Sequence, residues 1–208
     1  MTDRKDHWEN IYQDKSPENV SWYQQQPSLS LQLIQNTQLA LDQAIIDIGG
    51  GTSSLVDHLI GIGYLDISVL DISENALSRA RYRLGDAAKK VKWYASDVTE
   101  FKAAQQYSLW HDRAVFHFLT AESDRRQYIR VLNQSLKPGG HLVIAAFAIG
   151  GPEKCSGLEV VQYDARKLST ELGEDYELVE ETVELHITPS NMEQKFGYFR
   201  FIRKQHTI

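Results

Sequence analysis

Three consecutive glycines after a short apolar run are the first feature of the chain that could do chemistry. The run AIIDI at 44–48 contains Asp47 and leads directly into Gly49, Gly50 and Gly51. Glycine lets a backbone approach a ligand closely, because it has no side chain in the way. A short strand followed by such a loop is typical of sites for nucleotide-like molecules. The loop therefore predicts a site of this kind.

Two ligand classes fit this loop poorly. A phosphate-cradling P-loop needs a lysine after its glycines, but the first lysine after Gly51 is Lys89, so that interpretation fails. A dinucleotide loop needs a third glycine where Ser54 stands, and it rarely has an acid inside the strand, as Asp47 is here. The dinucleotide alternative is weakened and stays open.

Two further acids follow the next predicted strands. Asp71 ends the segment at 66–71, 24 residues after Asp47, where an acid would meet ribose hydroxyls. Asp97 and Val98 follow the segment at 91–96; the carboxylate could accept from the amine of adenine, and Val98 offers a backbone N–H and an apolar edge. S-adenosylmethionine (SAM) has no pyrophosphate but needs such groups, so it accounts for more of these residues than a dinucleotide does.

The elements that must position these residues alternate along the chain. Apolar runs at 44–48, 66–71, 91–96, within 108–116 and at 141–148 alternate with segments of helical period. This rhythm predicts an α/β fold with a parallel sheet and helices on both faces. After a short helix at 164–172, runs at 176–187 and 195–204 are separated by only seven residues. That connection is too short for a parallel crossover, so these two strands should be antiparallel.

Four segments together carry a family resemblance. DIGGGTSSL, VLDIS, SDVT and LKPGGHLVI, in this order and spacing, resemble the class I (seven-stranded) SAM-dependent methyltransferases over roughly 47–147. The resemblance implies a Rossmann-like α/β fold with strand order 3-2-1-4-5-7-6, mostly parallel, with an antiparallel last strand. It also implies SAM as cofactor, across the carboxyl ends of the first strands. The residues expected to bind SAM are Asp47, Gly49, Gly50, Gly51, Asp71, Ile72, Asp97 and Val98.

The expected role of Asp47 has two alternatives. Its carboxylate could lie near the methionine end of SAM, or it could only fix the loop by accepting backbone N–H groups. For Asp71 and Asp97 the alternative to ligand contact is helix capping, which is the weaker interpretation.

The acceptor side is expected in the segment WHDRAVFHFLT at 110–120. Its Asp112-Arg113 pair resembles that of small-molecule methyltransferases of the thiopurine type. From that resemblance, Asp112 would bind the SAM amino group, Arg113 an anionic or soft acceptor, and His117 could act as a base. The competing interpretations are that Arg113 only pairs with a carboxylate and that His117 is a half-buried packing residue.

Cys155 and His186 are weaker acceptor-side candidates. A free thiol has a pKa near 8.5 and is mostly protonated unless its neighbours lower that pKa. With His117 they could form a soft-metal site, but they come from three loops and lack the tight spacing of zinc ligands. No metal site is therefore predicted.

An aromatic segment precedes the glycine loop. Trp8, Tyr12, Trp22 and Tyr23 resemble a segment of small bacterial methyltransferases of unassigned substrate, where it closes over SAM. Trp22 and Tyr23 are therefore added to the cofactor set, since aromatic faces attract a sulfonium by cation–π interaction. The alternative is that these rings only cap one edge of the sheet.

Composition narrows the class of protein and its partners. With 208 residues, 42% of them hydrophobic, the chain is expected to form one domain, with an aromatic cap at 1–40, a SAM-binding core at 41–148 and a substrate-side part at 149–208. A net charge of −6 and the lack of an Asn-Pro-Pro-Tyr-like motif argue against nucleic acid as partner. One cysteine, a charged start and no long apolar stretch favour a cytoplasmic protein without a membrane partner.

The sequence thus predicts a SAM-dependent methyltransferase that acts on a small-molecule acceptor by in-line displacement. A protein-lysine methyltransferase is one alternative, although that group tends to have Asp-Lys-Gly where this chain has Asp112-Arg113-Ala114. A non-catalytic SAM- or nucleotide-binding module and an NAD-dependent enzyme are the others. The sequence makes no prediction of oligomeric state.

Overall fold

The computed structural model of the chain describes residues 2–14 and 20–205. The predicted domain at 1–208 and its cap at 1–40 include residue 1, the segment 15–19 and the segment 206–208, which lie outside the described residues. Those domain limits stay a prediction.

Seven strands form one sheet in the order β3-β2-β1-β4-β5-β9-β8. Strand β9 is antiparallel to both β5 and β8, and the other neighbouring pairs are parallel. The predicted order 3-2-1-4-5-7-6 with an antiparallel last strand is confirmed, because β8 and β9 are the sixth and seventh strands of this sheet in chain order. The strands are β1 (Ile45–Ile48), β2 (Ile67–Asp71), β3 (Val91–Ala95), β4 (Tyr107–Arg113), β5 (Leu136–Phe147), β8 (Tyr176–Ile187) and β9 (Glu193–Arg203), and a separate small pair consists of β6 (Lys154–Cys155) and β7 (Leu158–Glu159).

Helices cover both faces of this sheet. They are α1 (Thr2–Asp14), α2 (Ser28–Gln35), α3 (Leu55–Ile62), α4 (Glu74–Leu84), α5 (Glu122–Ser135) and α6 (Ala165–Leu172). Helix α5 buries Tyr128, Val131 and Leu132, which share one face because they are three and four residues apart. Within the described ranges, no helix combines the length and the apolar character needed to cross a membrane.

Side-chain caps fix where two of these helices begin. The Ser73 hydroxyl accepts from the backbone N–H of Ala76 at the start of α4, and the Asp164 carboxylate accepts from that of Lys167 at the start of α6. Each cap satisfies an N–H group that the first turn of a helix leaves free. The start of α4 matters for the site, since α4 follows directly after the acid that ends β2.

Strands β1 and β4 are neighbours and send alternate side chains to opposite faces of the sheet. Ile46 and Ile48 of β1 pack with Trp110 of β4 in the core beneath α5. Ile45 and Leu109 pack in the other core, with residues of α2 and α3. Asp47 has the same parity as Ile45 and pairs with His111 of β4, so both side chains point towards the α2 and α3 face.

Candidate active site

The loop after β1 is held against the turn after β4. Gly49 has a left-handed backbone with φ of +67°, and its N–H donates to the carbonyl of Leu70 at 2.7 Å. A Cβ atom at position 49 would lie 2.2 Å from Cγ2 of Val115, and one at Gly50 would lie 2.3 Å from Oδ2 of Asp47. Only glycine fits at these two positions, and the loop backbone is therefore exposed to the space above it.

Asp71 ties the glycine loop to the start of α4. Its Oδ2 accepts from the N–H of Gly51 at 2.9 Å, and its Oδ1 accepts from the N–H of Ser73 at 2.8 Å. Burial raises the pKa of Asp71 to about 6, although these two hydrogen bonds act to lower it. Each carboxylate oxygen retains a further lone-pair direction for a ligand hydroxyl.

A cavity with aromatic walls lies above this loop, and we call it the aromatic cavity. It encloses about 730 Å³ including its opening to solvent. The rings of Trp8 and Phe118 are 5.0 Å apart, and those of Trp8 and Trp22 are 5.7 Å apart. Residues from the predicted cofactor set that line it are Trp22, Gly49, Asp71, Ile72, Asp97 and Val98.

Helix α1 crosses the aromatic cavity and is bound to the core at two points. The guanidinium of Arg4 donates to Asp97 at 3.1 Å and to Asp124 at 2.5 Å. The carboxylate of Glu9 accepts from the hydroxyl of Ser73 at 2.7 Å and from the N–H of Glu74 at 2.9 Å. A negative charge at the first turn of α4 is favourable there.

A second, smaller cavity lies on the other side of Gly49, and we call it the polar cavity. Trp22, Ile48, Gly49 and Arg113 line both cavities, so the two spaces are adjacent. Tyr23, Asp47, Gly50 and His111 are among the residues that line only the polar cavity. Gly51, which was also predicted to bind the cofactor, lines neither.

Asp47 and Arg113 each have a buried side-chain atom that makes no hydrogen bond at this site. Oδ1 of Asp47 is bonded to Nδ1 of His111 at 2.6 Å, whereas Oδ2 is buried and has no hydrogen-bond partner among the described residues. Arg113 donates to Tyr198 and to the carbonyl of Trp22, whereas its Nη2 is buried without a hydrogen bond and lies 3.7 Å from Glu184. Burying a polar atom unpaired is costly. A ligand that supplied the missing partners would remove that cost.

Asp112 lies on the opposite face of the sheet from Asp47 and Arg113 and lines neither cavity. Its Oδ1 accepts from the N–H groups of Val115 and Phe116, and its Oδ2 accepts from the hydroxyl of Tyr128 at 2.7 Å. Burial raises the pKa of Asp112 to about 6, against these hydrogen bonds. The carboxylate thus shapes the turn after β4, and its predicted contact with the SAM amino group stays a prediction.

The two candidate histidines are buried outside both cavities. Nδ1 of His117 accepts from the N–H of Phe147 at 3.3 Å, and burial, with the charge of Arg113, lowers the pKa of His117 to about 3. Nε2 of His186 donates to the carbonyl of Ser21 at 2.8 Å, and burial lowers its pKa as well. Both rings are therefore neutral near pH 7, and their catalytic roles stay predictions.

Cys155 lines the aromatic cavity and is buried. The structure does not bring Cys155, His117 and His186 together as metal ligands. Over residues 2–14 and 20–205, no group of three or more His, Cys, Asp or Glu side chains is arranged to hold a metal ion.

Three residues at the site were missed in the sequence. His111 had one weak signal, because it is a polar residue inside an apolar strand. Arg4 and Glu9 had none, since a charged helix more than sixty residues away in the chain gives no hint of what it covers.

Comparisons with known proteins point to methyltransferases. The family model described as "Methyltransferase domain" matches residues 46–142. A malonyl-[acyl-carrier protein] O-methyltransferase of Anoxybacillus flavithermus is 31% identical over 107 residues, which cover 50% of this chain and 39% of the relative. An eEF1A lysine and N-terminal methyltransferase of Mus musculus is 27% identical over 97 residues, covering 47% of this chain and 14% of the relative. The chain thus matches well under half the length of these two relatives.

Solved structures share the fold over nearly the whole chain. One, titled for the conversion of a disulfide bond into a thioacetal group during echinomycin biosynthesis, has a TM-score of 0.77 at 18% identity and covers 98% of this chain and 94% of its own. The N-methyltransferase NodS of Bradyrhizobium japonicum WM9, in complex with S-adenosyl-L-homocysteine (SAH), has a TM-score of 0.70 at 19% identity, covering 96% of this chain and all of its own.

Residues 46–142 thus match a methyltransferase domain, and the sheet order and the glycine loop are those of the class I SAM-dependent methyltransferase fold. SAM is the cofactor of this class, and the residues present fit it. Oδ2 of Asp47, buried without a hydrogen-bond partner among the described residues, has the charge that the ammonium of its amino-acid end requires. Arg113, whose Nη2 makes no hydrogen bond and lies 3.7 Å from Glu184, has the charge that the carboxylate of that end requires.

Proposed function

We propose that this chain transfers a methyl group from SAM to a small-molecule acceptor. The observation that carries the proposal is a pair of buried, oppositely charged atoms without hydrogen bonds, Oδ2 of Asp47 and Nη2 of Arg113, beside a cavity lined by acids; Nη2 has only a long ion pair of 3.7 Å to Glu184. An amino acid joined to adenosine offers a partner to each of these groups. A dinucleotide or a nucleoside triphosphate offers no ammonium group for Asp47.

The two cavities divide SAM between them in this proposal. The adenosine end occupies the aromatic cavity, with the ribose hydroxyls at Asp71 and the adenine beside Ile72, Asp97 and Val98. The amino-acid end occupies the polar cavity, with its ammonium at Asp47 and its carboxylate at Arg113. Arg113 thus moves from the predicted acceptor side to the cofactor side.

The residues between the cavities would act by positioning the sulfonium of SAM and the nucleophile. Trp22 and Gly49 line both spaces, so the sulfonium lies between them, and the ring of Trp22 stabilises its charge. Holding a nucleophile in line with the methyl group contributes about 7–11 kcal/mol in favourable cases, without a general base. The buried contacts of His117 and Asp112 favour packing roles for both.

Two features support a small-molecule acceptor. Helix α1 is held over the aromatic cavity by Arg4 and Glu9, which leaves a confined space with aromatic walls for the acceptor. The chain also has Asp112-Arg113-Ala114 at the end of β4 rather than the Asp-Lys-Gly typical of the protein-lysine group. The name of the mouse relative favours a protein acceptor as the second candidate. A cytoplasmic location is part of the proposal and is supported by the single cysteine.

Calorimetry followed by label transfer tests this proposal. We expect SAM and SAH to bind and NAD not to bind; binding of NAD alone would refute the cofactor assignment. With methyl-labelled SAM and a fractionated lysate, we expect label in the small-molecule fraction. Label in protein bands alone would favour the second candidate, and SAH binding without any transfer would favour a non-catalytic module.

Asp71→Ala tests the ribose site. We expect it to weaken SAH binding roughly 10- to 100-fold, because hydrogen bonds to a charged group are lost. Since Asp71 also holds the loop, the matched control is Ser73→Ala, which removes the hydroxyl but keeps the N–H that bonds Asp71. An unchanged dissociation constant in folded Asp71→Ala would refute the assignment.

A further inference from the structure

A chain of three buried polar side chains ends at the carboxylate of Asp47. Ser30 of α2 lies 2.9 Å from Nε2 of His111, measured from its hydroxyl, and Nδ1 of His111 lies 2.6 Å from Oδ1 of Asp47. Their exposed fractions are 0%, 3% and 2%. The strand register places His111 directly beside Asp47. The three groups thus come from α2, β4 and β1 and meet at the wall of the polar cavity, which all three residues line.

The chemistry of the groups fixes the direction of the hydrogen bond to Asp47. An ionised carboxylate can only accept, so Nδ1 of His111 donates to Asp47. Nε2, the other nitrogen of the ring, is hydrogen-bonded to the hydroxyl of Ser30. The ring of His111 is thus held between Ser30 and Asp47.

The consequence for Asp47 is a fixed rotation of its carboxylate. The last torsion of an aspartate side chain is broad and has little preference of its own. The bond from His111 holds Oδ1 on the strand side, which leaves Oδ2 unpaired beside the polar cavity. Gly50 packs directly on that oxygen, since a Cβ there would lie 2.3 Å from it.

We propose that His111 is a positioning residue, which presents Oδ2 of Asp47 to the ammonium group of the amino-acid end of SAM. The inference rests on the proposed function and deepens it. The polar cavity then selects adenosyl ligands that carry an amino-acid end over those that lack it. His111 itself does not touch the ligand in this arrangement; it acts through Asp47, with Ser30 holding its ring.

Two ligands that differ only at the amino-acid end separate this role from a general structural one. SAH has the amino-acid end, and 5′-methylthioadenosine does not. We would measure both dissociation constants for the wild type and for His111→Phe, which keeps a ring but removes both nitrogens. We expect SAH to bind roughly 10- to 100-fold more weakly to the variant. Binding of 5′-methylthioadenosine should change less than about twofold, since it makes no use of Asp47.

Two further variants serve as matched controls. In His111→Asn the amide nitrogen occupies about the place of Nδ1 and can donate to Asp47, so SAH affinity should return to within about fivefold of the wild type. Ser30→Ala removes only the far end of the chain and should weaken SAH binding by about two- to fivefold. These two variants decide the question if His111→Phe does not fold.

Equal losses for both ligands, or no loss for either, would overturn the positioning role. Failure of His111→Asn to restore SAH binding in a folded protein would do the same. If the wild type binds neither ligand, the proposed function itself fails. Wild-type binding of both ligands with an unchanged ratio in every variant refutes only the role of His111.

Discussion

Asp47 and Asp112 are buried aspartates at the carboxyl ends of neighbouring strands, yet their surroundings differ. Asp112 has hydrogen bonds to both oxygens, from two N–H groups and the hydroxyl of Tyr128. Asp47 has one bond, to His111, and its second oxygen is buried without a partner among the described residues. An unpaired buried acceptor costs roughly 1–3 kcal/mol of folding free energy. Asp112 thus has its hydrogen bonds completed within the fold, whereas Asp47 retains an acceptor that the proposed cofactor would pair.

Asp47→Asn should have the largest effect and bears directly on this comparison. The substitution removes the charge that would face the ligand ammonium, so we expect SAH affinity to fall roughly 100-fold. Asp112→Asn is the matched control, and its SAH affinity should stay within about threefold of the wild type. Calorimetry on both purified variants measures the two constants. Equal losses in the two variants would break the comparison and restore the cofactor role predicted for Asp112.

Asp112→Ala should have its effect on stability instead. It leaves two N–H groups and the hydroxyl of Tyr128 without their acceptor, so we expect the free energy of unfolding to fall by about 2 kcal/mol near pH 5. Asp47→Ala leaves only the Nδ1–H of His111 without its acceptor and also removes an unpaired oxygen, so it should cost less. Urea unfolding of both variants measures the difference. A larger loss for Asp47→Ala than for Asp112→Ala would contradict the contrast.

The pH dependence of the stability loss in Asp112→Ala tests whether the carboxyl group of Asp112 causes that loss. Its pKa is about 6 in the folded protein and about 3.8 in the unfolded chain, so the folded state binds the proton more tightly. Its stabilising contribution is fully present below pH 3.8 and is lost as the pH rises through 6. The stability difference between wild type and Asp112→Ala should therefore shrink across this window.

Glu9→Ala should have the smallest effect and extends the comparison to α1. The carboxylate of Glu9 resembles that of Asp112, because its oxygens accept from Ser73, Glu74 and Asn75. Loss of this cap on α4 should lower the free energy of unfolding by about 1 kcal/mol. Glu9→Gln keeps an acceptor oxygen and should lose less than half as much. Equal losses in Glu9→Ala and Glu9→Gln would show that the charge of Glu9, rather than its hydrogen bonds, stabilises the protein.

Most of the fold was predictable because it follows from hydrophobic runs and connection lengths. The seven-residue link after Ile187 required an antiparallel pair, and β8 and β9 form one. The positions of the candidate cofactor residues at strand ends were also predictable, since parallel strands bring their carboxyl ends to one edge of the sheet. Gly49, Asp71, Ile72, Asp97 and Val98 all line the aromatic cavity.

The face on which each β4 side chain lies was not predictable. Residues 107–112 are buried on both faces of the sheet, so no alternation of apolar and polar residues reveals their parity. Asp112 and His111 are adjacent in the chain but point to opposite faces, and the sequence interpretation assigned chemistry to Asp112 alone. The parity became visible only through the pairing of Asp47 with His111.

Gly49 restricts how this sequence can diverge. Any other residue there would meet a left-handed backbone, which costs about 1–2 kcal/mol, and would also place Cβ 2.2 Å from Val115. Shortening Val115 to alanine removes only the second obstacle. A paired change at positions 49 and 115 therefore still retains the backbone cost, and the loop after β1 and the turn after β4 restrict each other's divergence.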